Sequence, residues 1–214
     1  MVRETADAVY LVGAAAGPLG GDDLRIDVTV GDGARLTVRS AAATMAQPGP
    51  LGGRSHLAMA FTVGRGASLR WRPEPLVSVR GSDHTIDTTV VLDPAATLIM
   101  QDEIVLGRDH EDSGRVRSRL RIERNGIALL THELDVGADA PSWSTAAILG
   151  TARAVVSIVV VGIDAPTEAR TIVDRDADAR AAWLPLAPGA AVLLAIAPGL
   201  RAARAAAAAL APPA

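Results

Sequence analysis

The densest group of side chains capable of chemistry lies between residues 102 and 112. It places carboxylates and one imidazole around a Gly-Arg pair: Asp102, Glu103, Asp109, His110, Glu111 and Asp112. Carboxylate oxygens with a single imidazole suit a divalent cation that is bound loosely. Two carboxylates can also act as the acid and the base of a hydrolase, and an acidic loop beside an arginine-rich strand can simply be solvated. The composition of this segment leaves all three interpretations open.

The rest of the sequence offers few other groups for metal binding or catalysis. The histidines are His56, His84, His110 and His132, and no two stand at the spacing of zinc ligands. Cysteine and lysine are absent, which excludes thiolate metal sites, thiol nucleophiles, P-loops and Schiff bases. We therefore expect no stably bound cofactor and no stable metal site.

A second charged group follows the acidic segment. Four arginines alternate with other residues along one predicted strand, so their guanidinium groups share a face: Arg115, Arg117, Arg119 and Arg121. Such a face can dock an acidic partner through bidentate ion pairs. It can equally pair with a neighbouring acidic strand or remain solvated.

The overall composition excludes several classes of partner. The chain has 214 residues, a net charge of −3 and only 2% aromatic residues. A negative chain with few aromatic faces is poorly suited to nucleic acid or to a membrane surface. Its apolar segments are too short to span a bilayer, and acidic residues near the start argue against a signal peptide. We expect a single cytoplasmic domain over residues 1–214, with a frayed tail at 211–214.

Alternation of apolar and polar residues dominates the chain as far as Leu130 and predicts strands. Three strand–turn–strand units repeat at similar intervals around the related segments 30–36, 63–69 and 92–98, and segment 186–192 is a fainter fourth copy. A unit repeated at this interval predicts stacked β layers. Asp102 shares the phase of Leu98 and Met100, so we expect Asp102 to point into the layers and Glu103 to point away, whereas a β-bulge near Gly107 would reverse the two directions. The inward carboxylate could pair with Arg108 or line a hydrated passage.

The remaining segments complete the predicted fold. Asn125-Gly126 predicts a tight hairpin turn, residues 155–161 and 171–173 predict strands, and residues 142–153 and 200–210 predict helices. The fold class expected is mainly β: a layered, solenoid-like stack of β-hairpins with one or two short helices in the C-terminal third.

Several short motifs, taken in order, resemble a known family. Gly20-Gly21-Asp22 precedes a strand, and Gly-x-Gly-Ala turns follow at Gly33 and Gly66. Next come Trp71-x-Pro73-Glu74-Pro75 and Leu106-Gly107-Arg108, with Gly114 shortly after. Their order resembles that of the urease accessory protein UreD family, also called UreH. The resemblance covers about residues 17–134. The sequence differs in lacking most of the family's N-terminal extension and in carrying Met45 where a tyrosine is usual.

The resemblance implies a non-enzymatic role in urease maturation. It implies a complex with UreF-like and UreG-like proteins that docks on the urease apoprotein and delivers nickel, with an internal passage as the suggested route. Nickel would then be a transient cargo, for which Asp22, Asp102, Glu103 and His110 are the candidate ligands. Gly21 is expected where a Cβ is not tolerated, and Asp22 is expected to cap the turn or line the passage.

Two other functions are compatible with the sequence alone. One is a cytoplasmic hydrolase that uses Asp102 and Glu103 as its carboxylate pair, although no organised nucleophile accompanies them. The other is a β-solenoid binding module, although a binder of polymers usually presents rows of aromatic side chains.

Overall fold

The computed structural model describes residues 1–13, 16–162 and 165–210, and within these residues the chain forms sixteen strands and one helix. The predicted frayed tail at 211–214 lies outside the described residues. The elements are β1 (Val2–Glu4), β2 (Val9–Leu11), β3 (Asp23–Val30), β4 (Arg35–Ser40), β5 (Thr44–Ala46), β6 (Ser55–Val63), β7 (Ser68–Arg72), β8 (Leu76–Ser78), β9 (Asp83–Leu92), β10 (Thr97–Leu106), β11 (Arg115–Arg124), β12 (Ile127–Gly137), β13 (Ala154–Val161), β14 (Arg170–Asp174), β15 (Ala179–Ala187), β16 (Ala190–Ala197) and α1 (Leu200–Leu210).

The strands form two sheets, here called the larger and the smaller sheet. The larger sheet has eleven strands in the order β1-β2-β4-β7-β10-β13-β16-β15-β14, with β8 also paired to β10 and β5 paired to β8. The smaller sheet has five strands in the order β12-β11-β9-β6-β3. The predicted mainly β, solenoid-like stack is confirmed.

The three repeated units stack in register. Val30, Val63 and Leu92 are direct cross-strand partners in the smaller sheet, and Leu36, Leu69 and Leu98 are partners in the larger one. The turns between the strands also stack, because the amide of Gly33 donates to Arg65 O at 2.9 Å and that of Asp93 donates to Val63 O at 3.0 Å. The intervals between the repeated segments are therefore the lengths of successive coils.

One detail of the units differs from the expected hairpins. The two strands of each unit lie in different sheets, so each pairs in parallel with the equivalent strand of the next unit. Alternation followed by a turn predicts two amphipathic strands, but it does not say whether they pair with each other or face each other. The fourth copy is not part of this stack: β15 and β16 pair with each other in antiparallel fashion within the larger sheet.

The core lies between the sheets and beneath the helix. One apolar cluster fills the turn end of the space between the sheets, where Phe61 and Trp71 pack edge to face with ring centroids 4.9 Å apart. We call it the turn-end cluster, and it also contains Val90, Met100 and Val159. A second, the base cluster, includes Ile104, Val116 and Val155. A third packs the alanines of α1 against the outer face of β13, β15 and β16.

The described part of the C-terminal third holds one helix, not two. The predicted helix over residues 142–153 is wrong, because this segment forms consecutive turns in which Ser142 and Gly150 have φ of 57° and 60°. Such left-handed backbone does not continue a right-handed helix. The predicted strands at 155–161 and 171–173, the helix at 200–210 and the turn at Asn125-Gly126 are confirmed. Among the described residues, no helix is both long enough and apolar enough to cross a membrane.

Candidate functional site

Two adjacent carboxylates on β10 point to opposite faces of the larger sheet. Asp102 lies on the inner face with Met100 and Ile104, as the alternation predicts. Glu103 lies on the outer face, where Arg204 of α1 reaches it. The two groups cannot act together on one bond, so the structure does not support the hydrolase interpretation.

The Asp102 carboxylate lies between the two apolar clusters of the interior. Trp71 Nε1 donates a hydrogen bond of 3.2 Å to Asp102 Oδ1. The residue is partly buried, and loss of hydration raises the pKa of its carboxyl to about 6, against the effect of the indole hydrogen bond. Arg108, which the sequence suggested as an ion-pair partner, instead binds Glu111. Asp102 therefore has no cationic partner within the described part of the chain.

Other polar side chains occur on the inner faces of both sheets. On the inner face of the larger sheet, Ser157 is the cross-strand partner of Asp102. In the smaller sheet, Thr88 and His132 lie in one row, two strands apart, and burial lowers the pKa of His132. We call these groups, together with Asp102, the polar band. It is not continuous, because Leu120 lies between Thr88 and His132 and Ile86 packs against both apolar clusters.

The Glu103 carboxylate is fully buried and holds the C-terminal helix. Arg204 donates to it from Nε and Nη2 at 2.6 to 3.1 Å, and Gln101 Nε2 donates to it at 2.9 Å. Arg204 also approaches Glu74 at 3.5 Å, which ties α1 to the Pro-Glu-Pro corner between β7 and β8. Sequence reasoning missed this role of Glu103 because Arg204 is 101 residues away.

The Gly20-Gly21-Asp22 motif forms a tight turn against a second glycine-rich loop. A Cβ on Gly20 would lie 2.6 Å from Gly53 O and 2.7 Å from Gly49 N. A Cβ on Gly21 would meet no atom within 4 Å, so the steric restriction expected at Gly21 applies instead to Gly20. Glycine suits position 21 because its φ is +95°. Asp22 caps the turn, because its Oδ2 accepts the Leu19 amide at 2.8 Å.

The Gly107-Arg108 motif closes a second loop. Gly107 has a φ of +79°, and a Cβ there would lie 2.5 Å from both the Arg153 guanidinium and Glu111 O. Arg153 donates to Leu106 O at 2.9 Å and also binds Glu111 O. Arg108 pairs with Glu111, whose pKa it lowers to about 2. The motif is thus structural, and sequence reasoning did not identify Arg153.

His110 lies at the tip of this loop with a side chain that is 93% exposed. His110 therefore lies on the surface. Asp102 is on the inner face of the larger sheet, Glu103 is beneath α1, and Asp22 is in the turn that contains Gly20 and Gly21. The structure does not bring these four predicted nickel ligands together. Among the residues described, no three histidine or acidic side chains form a group able to hold a metal ion.

The four arginines of β11 form a ladder of ion pairs, three with neighbouring strands and one within β11. Arg115 and Arg117 each bind Asp135 of β12 at 2.7 Å, and they lower the pKa of that carboxyl to about 2. Arg119 binds Glu133 at 3.1 Å and Asp87 at 3.4 Å. Arg121 binds Glu123. An acidic partner would have to compete with these carboxylates.

A buried histidine on the smaller sheet was not singled out from the sequence. His84 is fully buried, and its Nδ1 is 2.8 Å from Ser55 Oγ. Its Nε2 has no hydrogen-bond partner among the described residues. Burial, with a smaller contribution from His56, lowers the pKa of His84 to about 4, so the ring is neutral at physiological pH.

Comparison with known protein sequences identifies the family of this chain. The family model described as "UreD urease accessory protein" matches residues 3–212. UreD of Streptomyces avermitilis is 43% identical over 194 residues, which cover 89% of this chain and 75% of that protein. UreD 2 of Saccharopolyspora erythraea is 40% identical (89% and 68% covered), and UreD of Frankia casuarinae is 41% identical (89% and 64% covered). These relatives are named as accessory proteins, not as enzymes. The chain belongs to the UreD family of urease accessory proteins.

Proposed function

We propose that this chain is a non-enzymatic scaffold for the maturation of urease. In this proposal it acts in the cytoplasm with UreF-like and UreG-like proteins, docks on the urease apoprotein and helps deliver nickel to its active site. Membership of the UreD family supports the link to urease. Nickel is the cargo of this process and not a resident cofactor of the chain.

The observation that carries the nickel part of the proposal is the position of Asp102. A carboxylate on the inner face of a sheet is costly unless it is hydrated, paired or ion-bound, and Asp102 receives only the indole hydrogen bond from Trp71 within the described part of the chain. Ser157, Thr88 and His132 add polar atoms on the inner faces of the two sheets. Such a band can offer weak, successive contacts to a hydrated divalent ion.

The types of ligand available also support transfer over storage. Cysteine is absent, so nickel would meet oxygen and imidazole nitrogen atoms, which bind it less tightly than thiolates and exchange it more readily. A site of three or more such groups would hold the ion in place. A chain that spreads them over a polar band suits the passage of an ion.

The test is a comparison of urease produced with and without this chain. The cognate urease subunits and the UreF-like and UreG-like proteins are co-expressed in a bacterium that lacks urease, and nickel per active site is measured in the purified enzyme. We expect low nickel and low activity without the chain and restoration of both with it. Equal nickel loading in the two preparations would overturn the proposal.

A further inference from the structure

A second set of arginines lies on the outer face of the larger sheet. It comprises Arg3 of β1, Arg35 and Arg39 of β4, and Arg70 and Arg72 of β7, and we call it the arginine face. All five residues are exposed. Their inward-facing neighbours, such as Val38 and Trp71, belong to the turn-end cluster, so the arginines point away from the core.

The strand register places these arginines in adjacent rows. Arg3 is opposite Tyr10, Tyr10 is opposite Arg39, and Arg39 is opposite Arg72. Arg70 lies two residues before Arg72 on the same face, and Arg35 lies four residues before Arg39. Neighbouring strands are about 4.8 Å apart, and alternate residues along a strand are about 6.6 Å apart. The guanidinium groups are therefore close enough to contact one compact surface.

The arginine face differs from the ladder on β11 in its ion pairing. Every arginine of the ladder has an acidic partner, whereas none of the five on the arginine face forms an ion pair within residues 1–13, 16–162 and 165–210. Strands β4 and β7 contain no acidic residue. Like charges directly opposite one another, as at Arg39 and Arg72, destabilise a sheet. In a chain with a net charge of −3, the arginine face is a local concentration of positive charge that complements acidic groups.

We propose that the arginine face is a docking surface for an acidic segment of a partner protein. Guanidinium groups bind carboxylates in a bidentate geometry, and a row of them on a flat sheet complements Asp and Glu side chains spaced along a strand or helix. Nucleic acid fits less well, because the chain as a whole is negative and Tyr10 is the one aromatic residue in these rows. The proposal rests on the proposed function in one respect: the acidic segment belongs to one of the proteins of the urease assembly.

The first test measures binding to a defined acidic probe. A fluorescent oligoglutamate peptide is titrated with the wild-type chain at low salt, and an oligoglutamine peptide of equal length serves as the uncharged control. Arg39→Glu/Arg72→Glu should weaken oligoglutamate binding by about tenfold. The matched control Arg65→Glu/Arg175→Glu changes net charge equally at exposed arginines in turns outside the arginine face and should bind as the wild type does. Equal weakening in both variants, or no binding by the wild type, would overturn the proposal.

The second test identifies the partner and separates this proposal from the proposed function. Purified UreF-like protein, UreG-like protein and urease apoprotein are each titrated with the same variants at two salt concentrations. Loss of binding to one of them by Arg39→Glu/Arg72→Glu alone, with a steep salt dependence, supports the docking surface. If all three bind both variants equally while duplex DNA binding falls only in Arg39→Glu/Arg72→Glu, the surface serves nucleic acid and the proposal is wrong. Failure of the wild-type chain to promote nickel loading would contradict the proposed function without changing the peptide result.

Discussion

Asp102 and Glu103 are neighbours in sequence, yet their carboxylates are held by different parts of the fold. Trp71 of β7 donates to Asp102 on the inner face, and Arg204 of α1 binds Glu103 on the outer face. The first carboxylate has a neutral partner in a polar band, whereas the second is part of a buried ion pair. Substitutions at the two positions should therefore have different effects, the first on function and the second on folding.

Replacement of Asp102 is expected to impair nickel transfer without unfolding the chain. Asp102→Asn keeps the shape of the side chain and removes its charge, so urease matured in its presence should contain several-fold less nickel per active site. The measurement is metal analysis of purified urease beside circular dichroism and a pull-down of the accessory complex. The matched control is Asp176→Asn, which alters an exposed carboxylate in the turn between β14 and β15.

Asp102→Asn is also expected to change how the stability of the chain depends on pH. Because the folded pKa of Asp102 is raised to about 6, the folded state keeps a proton that the unfolded state has lost between about pH 4 and pH 6. The wild type loses stability as the pH rises through this window, and Asp102→Asn should not. The variant should be more stable than the wild type by about 1–2 kcal/mol at pH 8 and should show no gain at pH 4.

Normal nickel loading by a folded Asp102→Asn chain would contradict a role for this carboxylate in ion transfer.

The Glu103–Arg204 pair is expected to hold α1 against the larger sheet. Arg204→Ala leaves a fully buried carboxylate without its cation and should lower the free energy of unfolding by about 2–3 kcal/mol, since Arg204 itself is partly exposed. Arg201→Ala removes an exposed arginine from the same helix and should change stability by less than about 0.5 kcal/mol. Urea unfolding followed by circular dichroism measures both. Equal stability of the two variants would show that the ion pair does not hold the helix.

Gly20 and Gly21 are expected to respond to alanine for different reasons. Gly20→Ala places a methyl group against the backbone of Gly49 and Gly53, so the two loops must separate, and we expect a loss of about 3 kcal/mol or more. Gly21→Ala meets open space and bears only the strain of a positive φ, about 1–2 kcal/mol. Thermal unfolding of the two variants compares them directly. A larger loss for Gly21→Ala would mean that backbone conformation limits this turn more than the contact between loops does.

His84 is expected to make the fold sensitive to acid. Its folded pKa is lowered to about 4 from 6.5, so between these values the unfolded chain binds a proton that the folded chain does not. The contribution of His84 to the free energy of unfolding is largest above about pH 6.5, and it falls by up to about 3 kcal/mol as the pH drops to about 4. His84→Asn keeps a polar atom near Ser55 and should flatten the pH dependence over this range. A pH profile of unfolding free energy parallel to that of the wild type would show that His84 does not titrate as its burial implies.

The sequence by itself determined the local pattern of this protein. Alternation specified which residues of each strand share a face, so the inward direction of Asp102 and the outward direction of Glu103 followed from their phase relative to Met100. The intervals between the repeated turns specified the register of the stacked coils, because equivalent residues of successive coils become cross-strand partners. The family motifs could also be recognised from the sequence, because the turns that they encode depend on local backbone conformation.

Only the tertiary structure decided which elements became neighbours. A period of two does not say whether a strand pairs with the next strand or faces it across the core, so the predicted hairpins proved to be coils whose strands alternate between two sheets. The segment at 142–153 forms turns and not a helix, with Ser142 and Gly150 in left-handed backbone. The ion pair of Glu103 with Arg204 and the row that aligns Arg3, Arg39 and Arg72 join residues far apart in the chain. Such contacts depend on how the sheets and the helix pack, which no local pattern specifies.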